Sequence, residues 1–389
     1  MARHRLAVLV SCFTAALVTM VAASTAGVAA NVSSARVAST GNVWVTISGG
    51  PDQTCGIRTD HTLWCWGANF VGQLGVGDKT YRNVPTRVGQ GTDWASISTG
   101  DVHTCGITTN HTLWCWGGNL SGQLGLGDGP DRLRPARVGN GANWALVSTG
   151  GYRSCGIRIS GSLWCWGDNG FGELGLGGTR NRDRPTQVSQ VSDWAQISLG
   201  GSHTCGIHVN HTLWCWGYNT DGQLGFGARW TQSHRPTRVG QGDDWAQIAT
   251  GESYTCGLHV DHTLWCWGNN GYGQLGLGNT TSRLRPSRVG GTADWALISA
   301  GFAHTCGLRA NHTLWCWGDD LSGELGLGHT TGRHQPAHVG QGTDWALVSA
   351  GNFHTCGIRT NQSLWCWGDN FSGQLGLGDT TSRPVPARV

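Results

Sequence analysis

The sequence predicts an all-β fold, a seven-bladed β-propeller with four antiparallel strands and one hairpin disulfide per blade. Three observations carry this expectation. The chain repeats itself seven times at a period of 50 or 51 residues, its apolar runs are short and bounded by Gly, Asn and Pro, and every copy holds a Cys pair.

The repeat anchors are Trp44, Trp94, Trp144, Trp194, Trp245, Trp295 and Trp345. Each copy continues through a Gly turn, a T-C-G strand, a polar turn and an L-W-C-W-G strand. It ends with G-x-x-G-[QE]-L-G and a Pro-containing stretch finishing in Val. One period matches one four-stranded blade. In Leu63-Trp64-Cys65-Trp66 successive side chains point to opposite faces, and both faces are apolar. Both must therefore be covered, which radial packing between neighbouring blades achieves.

The ends suggest ring closure. Ala35-Arg36-Val37 matches Ala387-Arg388-Val389, so the N-terminal segment is expected to pair with the last copy and hide both open edges. Residues 1–30 read as a signal peptide, with Arg3, His4 and Arg5 ahead of an apolar stretch and Val28-Ala29-Ala30 as a small-residue cleavage site. Residues 31–389 then form a single propeller domain. Leu9-Val10-Ser11-Cys12 resembles a lipoprotein box but leaves too short an apolar stretch before the Cys. No later segment reaches membrane-spanning length, so a soluble, secreted protein is expected, with no membrane span.

Cys12 lies in the leader, and fourteen further Cys form seven pairs with nine residues between partners. Cys55 pairs with Cys65, Cys105 with Cys115, Cys155 with Cys165 and Cys205 with Cys215. The last three pairs are Cys256 with Cys266, Cys306 with Cys316 and Cys356 with Cys366. In the third copy, Ile159-Ser160-Gly161 suggests a three-residue hairpin loop with Gly161 in the left-handed region. Five copies place His there and the last places Gln362. Such a loop sets Cys155 opposite Cys165, close enough for a disulfide, and sets Gly56 opposite Trp64, a large ring over bare backbone. Zinc is the competing reading, because His103, His203, His304 and His354 each stand two residues before a Cys. No C-x-x-C or H-x-x-x-H spacing accompanies them, and no metal is expected.

Composition narrows the function. Gly is 64 of 389 residues, roughly twice average usage, and only 13% of residues are charged. The net charge of +3 and the absence of a basic run argue against nucleic acid as a partner. Of the 26 basic residues only Lys79 is a lysine.

Trp66-Gly67-Ala68-Asn69 followed by Gly72-Gln73-Leu74-Gly75-Val76-Gly77 resembles the repeat of the regulator of chromosome condensation family. Gly100-Asp101-Val102-His103-Thr104 is similar to that family's G-x-x-H-[ST] turn. The resemblance covers all seven copies and implies a seven-bladed propeller. The family's eukaryotic founder is a nuclear, chromatin-bound exchange factor for a small GTPase. The present chain differs in its leader, its paired Cys and its lack of a basic tail. It looks like a bacterial secreted variant, and more distantly like propeller-type β-lactamase inhibitory proteins.

No catalytic constellation stands apart from the repeat, so neither an enzyme nor a cofactor is expected. The G-x-x-G-x-G run at Gly122 to Gly127 lacks the helix and Lys of a phosphate loop. The His before each Cys is expected to hydrogen-bond in its Gly turn. Sequons such as Asn110-His111-Thr112 and Asn311-His312-Thr313 fall on turns that favour Asn in any case.

Chain direction puts the G-x-x turns and the W-G-x-N segments on one face and the polar hairpins near His61 and His111 on the other. Tyr152, Tyr254, Phe302 and Phe353 are assigned to the first face from the G-x-x turns. Phe70, Phe171, Tyr218, Tyr272 and Phe371 follow W-G, and Trp230 stands in the one 51-residue copy, beside Arg229 and His234. Exposed aromatics of this kind serve protein or glycan binding, whereas rings that fill gaps between blades would be structural. The sequence thus predicts a monomeric, non-enzymatic binding scaffold for an unidentified protein or glycan. Inhibition of a β-lactamase-like extracellular enzyme and guanine-nucleotide exchange are the alternatives.

Overall fold

The computed structural model describes residues 43–127 and 129–389. It contains 28 strands in seven four-stranded antiparallel sheets. Each sheet takes four consecutive strands, running outward from a central channel. In the first blade these are Trp44–Gly49, Gln53–Arg58, Leu63–Gly67 and Arg82–Arg87. No helix occurs among the described residues.

The hairpin register is the one that the three-residue loop implies. Cys55 faces Cys65 and Gly56 faces Trp64. All seven intra-blade disulfides are formed, each with Cα atoms 4.1 Å apart. Cys55 is bonded to Cys65, Cys105 to Cys115, Cys155 to Cys165 and Cys205 to Cys215. Cys256 is bonded to Cys266, Cys306 to Cys316 and Cys356 to Cys366. The pairing expected from the spacing is therefore the pairing observed, in every blade. Gly161 has φ 79°, and His61, His111, His211, His262, His312 and Gln362 also occupy left-handed backbone. For a non-Gly residue this conformation is strained. The His rings offset the strain by reaching the next blade, His61 Nδ1–H donating to the Trp94 carbonyl at 3.0 Å and His111 likewise to Trp144.

The ring over Gly56 is not Trp64. The space that a Cβ would occupy at Gly56 is filled by the Trp44 ring, 2.8 Å from that position, and Trp44's counterparts occupy it in all seven blades. The bulge between Trp44 and Thr46 in the innermost strand accompanies this diagonal placement. Trp64 is half-buried and lies under the Arg58 guanidinium, 3.8 Å from the ring centroid. The cation covers one side of the indole, and the ring also packs against the core shared with the last blade.

The core sits between blades. Cys55, Leu63 and Cys65 of the first blade pack against Trp94 and Trp116 of the second. The first blade's own Trp44 and Trp66 pack against Cys356, Leu364 and Cys366 of the last. Both faces of every sheet are therefore covered.

Ring closure repeats the contacts made at every other junction. The Trp44 amide donates to the Gln362 carbonyl at 3.1 Å, as that of Trp94 does to His61. Trp66 Nε1 donates to the Gln374 carbonyl at 2.8 Å, as Trp116 does to Gln73. The four strands of the last sheet all come from residues 345–388. The expected leader and the closing segment 35–37 lie outside the described residues.

Candidate binding face

The G-x-x turns and the W-G-x-N segments share one face. The Ala68 amide donates to the Asp52 carbonyl, and Asp168, Tyr218 and Asp369 pair in the same way with Tyr152, Ser202 and Phe353. This upper face surrounds one mouth of the channel.

Each outer loop of the face is built from inside. Asn69 accepts from the Leu74 amide at 3.0 Å, while its amide group donates to the Asp78 and Thr80 carbonyls. Gln73 accepts from the Val71 amide at 3.0 Å. These bonds hold the loop shut and leave the residue after the Asn as an exposed tip. Phe371 is 82% and Phe70 47% exposed there, and Phe171 and Tyr272 extend one residue further on, after Gly170 and Gly271. Counting aromatics alone overlooked Leu120 and Leu321, 93% and 73% exposed at the same repeat position. Their register with Phe70 and Phe371 was the available signal.

Trp230 belongs to the same face. It is 76% exposed, its backbone is left-handed at φ 62°, and its amide donates to the Asn219 carbonyl. A bulky residue in this conformation is an outlier, and among the described residues no side-chain bond compensates it as in the His corners.

Some of the predicted rings also pack against one another across blades. Phe171 and Tyr218 pair across two blades at 4.5 Å between centroids, and Phe302 and Phe353 do so at 5.3 Å. Tyr218, Phe302 and Phe353 are half-buried, whereas Tyr152 is exposed. Tyr254 is a correction. It is fully buried, because it opens the second strand at the position that other blades give to His103 or His354, and its hydroxyl donates to the His304 carbonyl at 2.5 Å.

That strand-opening position forms a ring of connectors beneath the face, each reaching the next blade. Gln53 donates to the Gly100 carbonyl, and Arg153 to the carbonyls of Gly200, Gly201 and His203. Nε2 of His103, His203, His304 and His354 bonds the hydroxyls of Ser154, Thr255, Thr355 and Thr54. Those hydroxyls already donate to backbone carbonyls, so the imidazole Nε2–H must be the donor. Nδ1 has no partner among the described residues. A second proton would be desolvated and unpaired, and burial accordingly pushes His103, His203 and His304 down to about 3 and His354 to about 4.

This has a pH consequence. The unfolded chain binds a proton at His354 near pH 6.5, and the folded chain does not until about pH 4. The unfolded state holds the extra proton in that window, so His354 lowers stability as pH falls through it. His354→Gln, which copies Gln53, should make stability less steep by about 1.4 kcal/mol per pH unit between about pH 6 and 4. Urea unfolding at several pH values reads this, and an unchanged slope would contradict it.

The channel is lined by the innermost strands, with Ser48 bonded to Thr99, Ser98 to Thr149 and Ser198 to Thr250 across blades. Asp101 and Glu252 also line it, near the upper mouth. Burial raises both carboxyls above the usual range, against the pull of the Arg153 guanidinium. Asp52 is raised by burial and then by Asp369 and Asp101. The centre of this face is therefore acidic, and among the described residues no reactive group is poised against another.

A model of the RCC1-like domain matches residues 144–389, well over half of the sequence. The chain belongs to the RCC1-like family. Regulator of chromosome condensation (RCC1) repeats also match at residues 60–107 and 94–123. Among solved structures, yeast RCC1 (Prp20) bound to Kap60 superposes with a TM-score of 0.76 at 21% identity, covering 92% of this chain and 89% of that one. Human WBSCR16 gives 0.76 at 20% identity, covering 84% and 93%. The CRINKLY WD40 ectodomain of the Arabidopsis thaliana receptor kinase ACR4 gives 0.52 at 22%, covering 88% and 99%. At these identities the likeness speaks for the RCC1-like fold alone. No curated protein matches the chain significantly in sequence.

Proposed function

We propose that this RCC1-like chain is an exported, non-enzymatic scaffold that binds a protein through its upper face. The observation that carries the reading is the ring of exposed apolar tips, Phe70, Leu120, Phe171, Tyr272, Leu321 and Phe371, with Trp230 beside them. Apolar tips around an acidic centre suit a partner with an apolar patch and basic residues. Seven disulfides suit an oxidising compartment, as the expected leader does. Among fold relatives, Prp20 is described with binding to Gsp1p and histones, and the ACR4 propeller is an ectodomain.

The opposite face offers a matched control, because Ile159, Val209 and Val260 are exposed in its hairpin loops. Immobilised mature protein should retain its ligand from the secreting culture. The variant L120D/L321D/F371D should lose that ligand, while I159D/V209D/V260D should keep it. Retention by the upper-face variant would overturn the reading.

A further inference from the structure

The outermost strands break the sevenfold regularity. Their third residue is Arg134, Arg184, Arg235 and Arg285 in blades two to five, but Val84, Gln335 and Val385 in blades one, six and seven. All four arginines are exposed. Among the described residues, the arginines in ion pairs are Arg82, Arg309, Arg359 and Arg383, none of them in this set.

Each of the four guanidinium groups rests on the preceding blade. It fills the space that a Cβ would take at Gly77, Gly127, Gly177 or Gly227, all in left-handed backbone. The charge is thereby held against a fixed surface, which limits the entropy lost when an anion binds.

The neighbouring charges sharpen the contrast. Arg82 and Arg383, which open the outer strands of blades one and seven, are neutralised by Asp78 and Asp379 at 2.6 Å. At the corresponding position blades three, four and five carry Gly178, Ala228 and Asn279, while blade two carries Asp128. Charged residues on edge strands commonly prevent edge-to-edge pairing. That purpose is already served on all seven edges by the Pro at the fourth position and by the basic residue at one or both strand ends, so it does not account for a third-position Arg in four blades alone.

We propose that this arc binds an anionic polysaccharide lying along the outer wall of blades two to five. One arginine per blade over four consecutive blades is too dispersed for a small anion and suits a polymer with repeating charge. Guanidinium pairs bidentately with carboxylate and sulfate alike. Among the described residues, the large exposed aromatics near the outer strands are Tyr81 of blade one, outside the arc, and Trp230 of blade four, so the arc offers one ring and no series of stacking platforms. Single-stranded nucleic acid, which is held by base stacking, is thus disfavoured. The surface is distinct from the upper face.

The test measures binding of the full mature chain to immobilised polygalacturonate, dextran sulfate, neutral dextran and a single-stranded oligonucleotide over a range of salt. The wild type should bind an acidic polymer and not neutral dextran. Binding to polygalacturonate assigns carboxylate recognition, and binding to dextran sulfate alone assigns sulfate. R134Q/R184Q/R235Q/R285Q should weaken binding by about tenfold or more and make the salt dependence shallower by about three in log–log slope. R87Q/R137Q/R238Q/R288Q removes the same charge from the other end of the outer strands and should stay within about threefold of wild type. Melting curves confirm that both variants fold. The inference is overturned if the wild type binds neither acidic polymer, if both variants lose affinity equally, or if the oligonucleotide binds more tightly than either polymer.

Discussion

Reducing all seven disulfides should unfold the protein at ambient temperature. Each bridge closes a loop with a sequence separation of 10, for which the chain-entropy model gives about 2–3 kcal/mol. The loops are separate in the unfolded chain, so their entropies add, and seven amount to roughly 14–21 kcal/mol. Domains are commonly stable by only about 5–15 kcal/mol. The sulfurs are fully buried between blades, so reduction should be slow in native buffer and fast once mild denaturant opens the ring. Removing one bridge, as in C205A/C215A, should lower Tm by a few degrees only. Far-ultraviolet circular dichroism with and without reductant checks both statements. A fully reduced chain that keeps its native spectrum and Tm would contradict them.

Trp66→Ala should be the most damaging single substitution at the ring seam. Trp66 is fully buried, packs edge-on against Trp44 at 5.6 Å and donates to the Gln374 carbonyl of the last blade. Truncation leaves a cavity between the first and last blades, costing about 3–5 kcal/mol. Gln374 would keep one donor, the Thr54 hydroxyl at 2.8 Å, so the lost hydrogen bond is the smaller part. Trp66→Phe, which retains most of the apolar ring, should cost clearly less. Trp230→Ala, at an exposed site, should stay within about 0.5 kcal/mol of wild type. Denaturant melts rank the three, and equal losses at Trp66 and Trp230 would contradict this assignment of the seam.

What could be read from the sequence was local. The pairing of Cys55 with Cys65 and the left-handed corner at Gly161 depend on a hairpin whose loop length sets the register. Because that loop recurs, the same register carried over to Cys115, Cys215, Cys266 and Cys316 and their partners. The seven blades follow from the period. The contacts that escaped depend on a third strand or a neighbouring blade. Trp44 crosses diagonally to Gly56 beside a bulge that composition does not mark. Tyr254 occupies a connector position whose burial arises only when the next blade supplies the His304 carbonyl. Of the candidate binding face, chain direction placed the G-x-x turns and the W-G-x-N segments together on one side of the ring, where they pair. Restricting the search to aromatics missed Leu120 and Leu321, although exposure at a shared loop position, not ring chemistry, is what unites the tips.

An exported ring in which every blade carries its own staple has a covalent signature. Peptide mapping of the mature protein, alkylated without reduction, tests it most directly. Seven linked peptide pairs are expected, each joining Cys residues ten apart, with a mature N-terminus near residue 31. Free thiols in most copies, bridges joining different repeats, or a leader retained in the mature chain would contradict it.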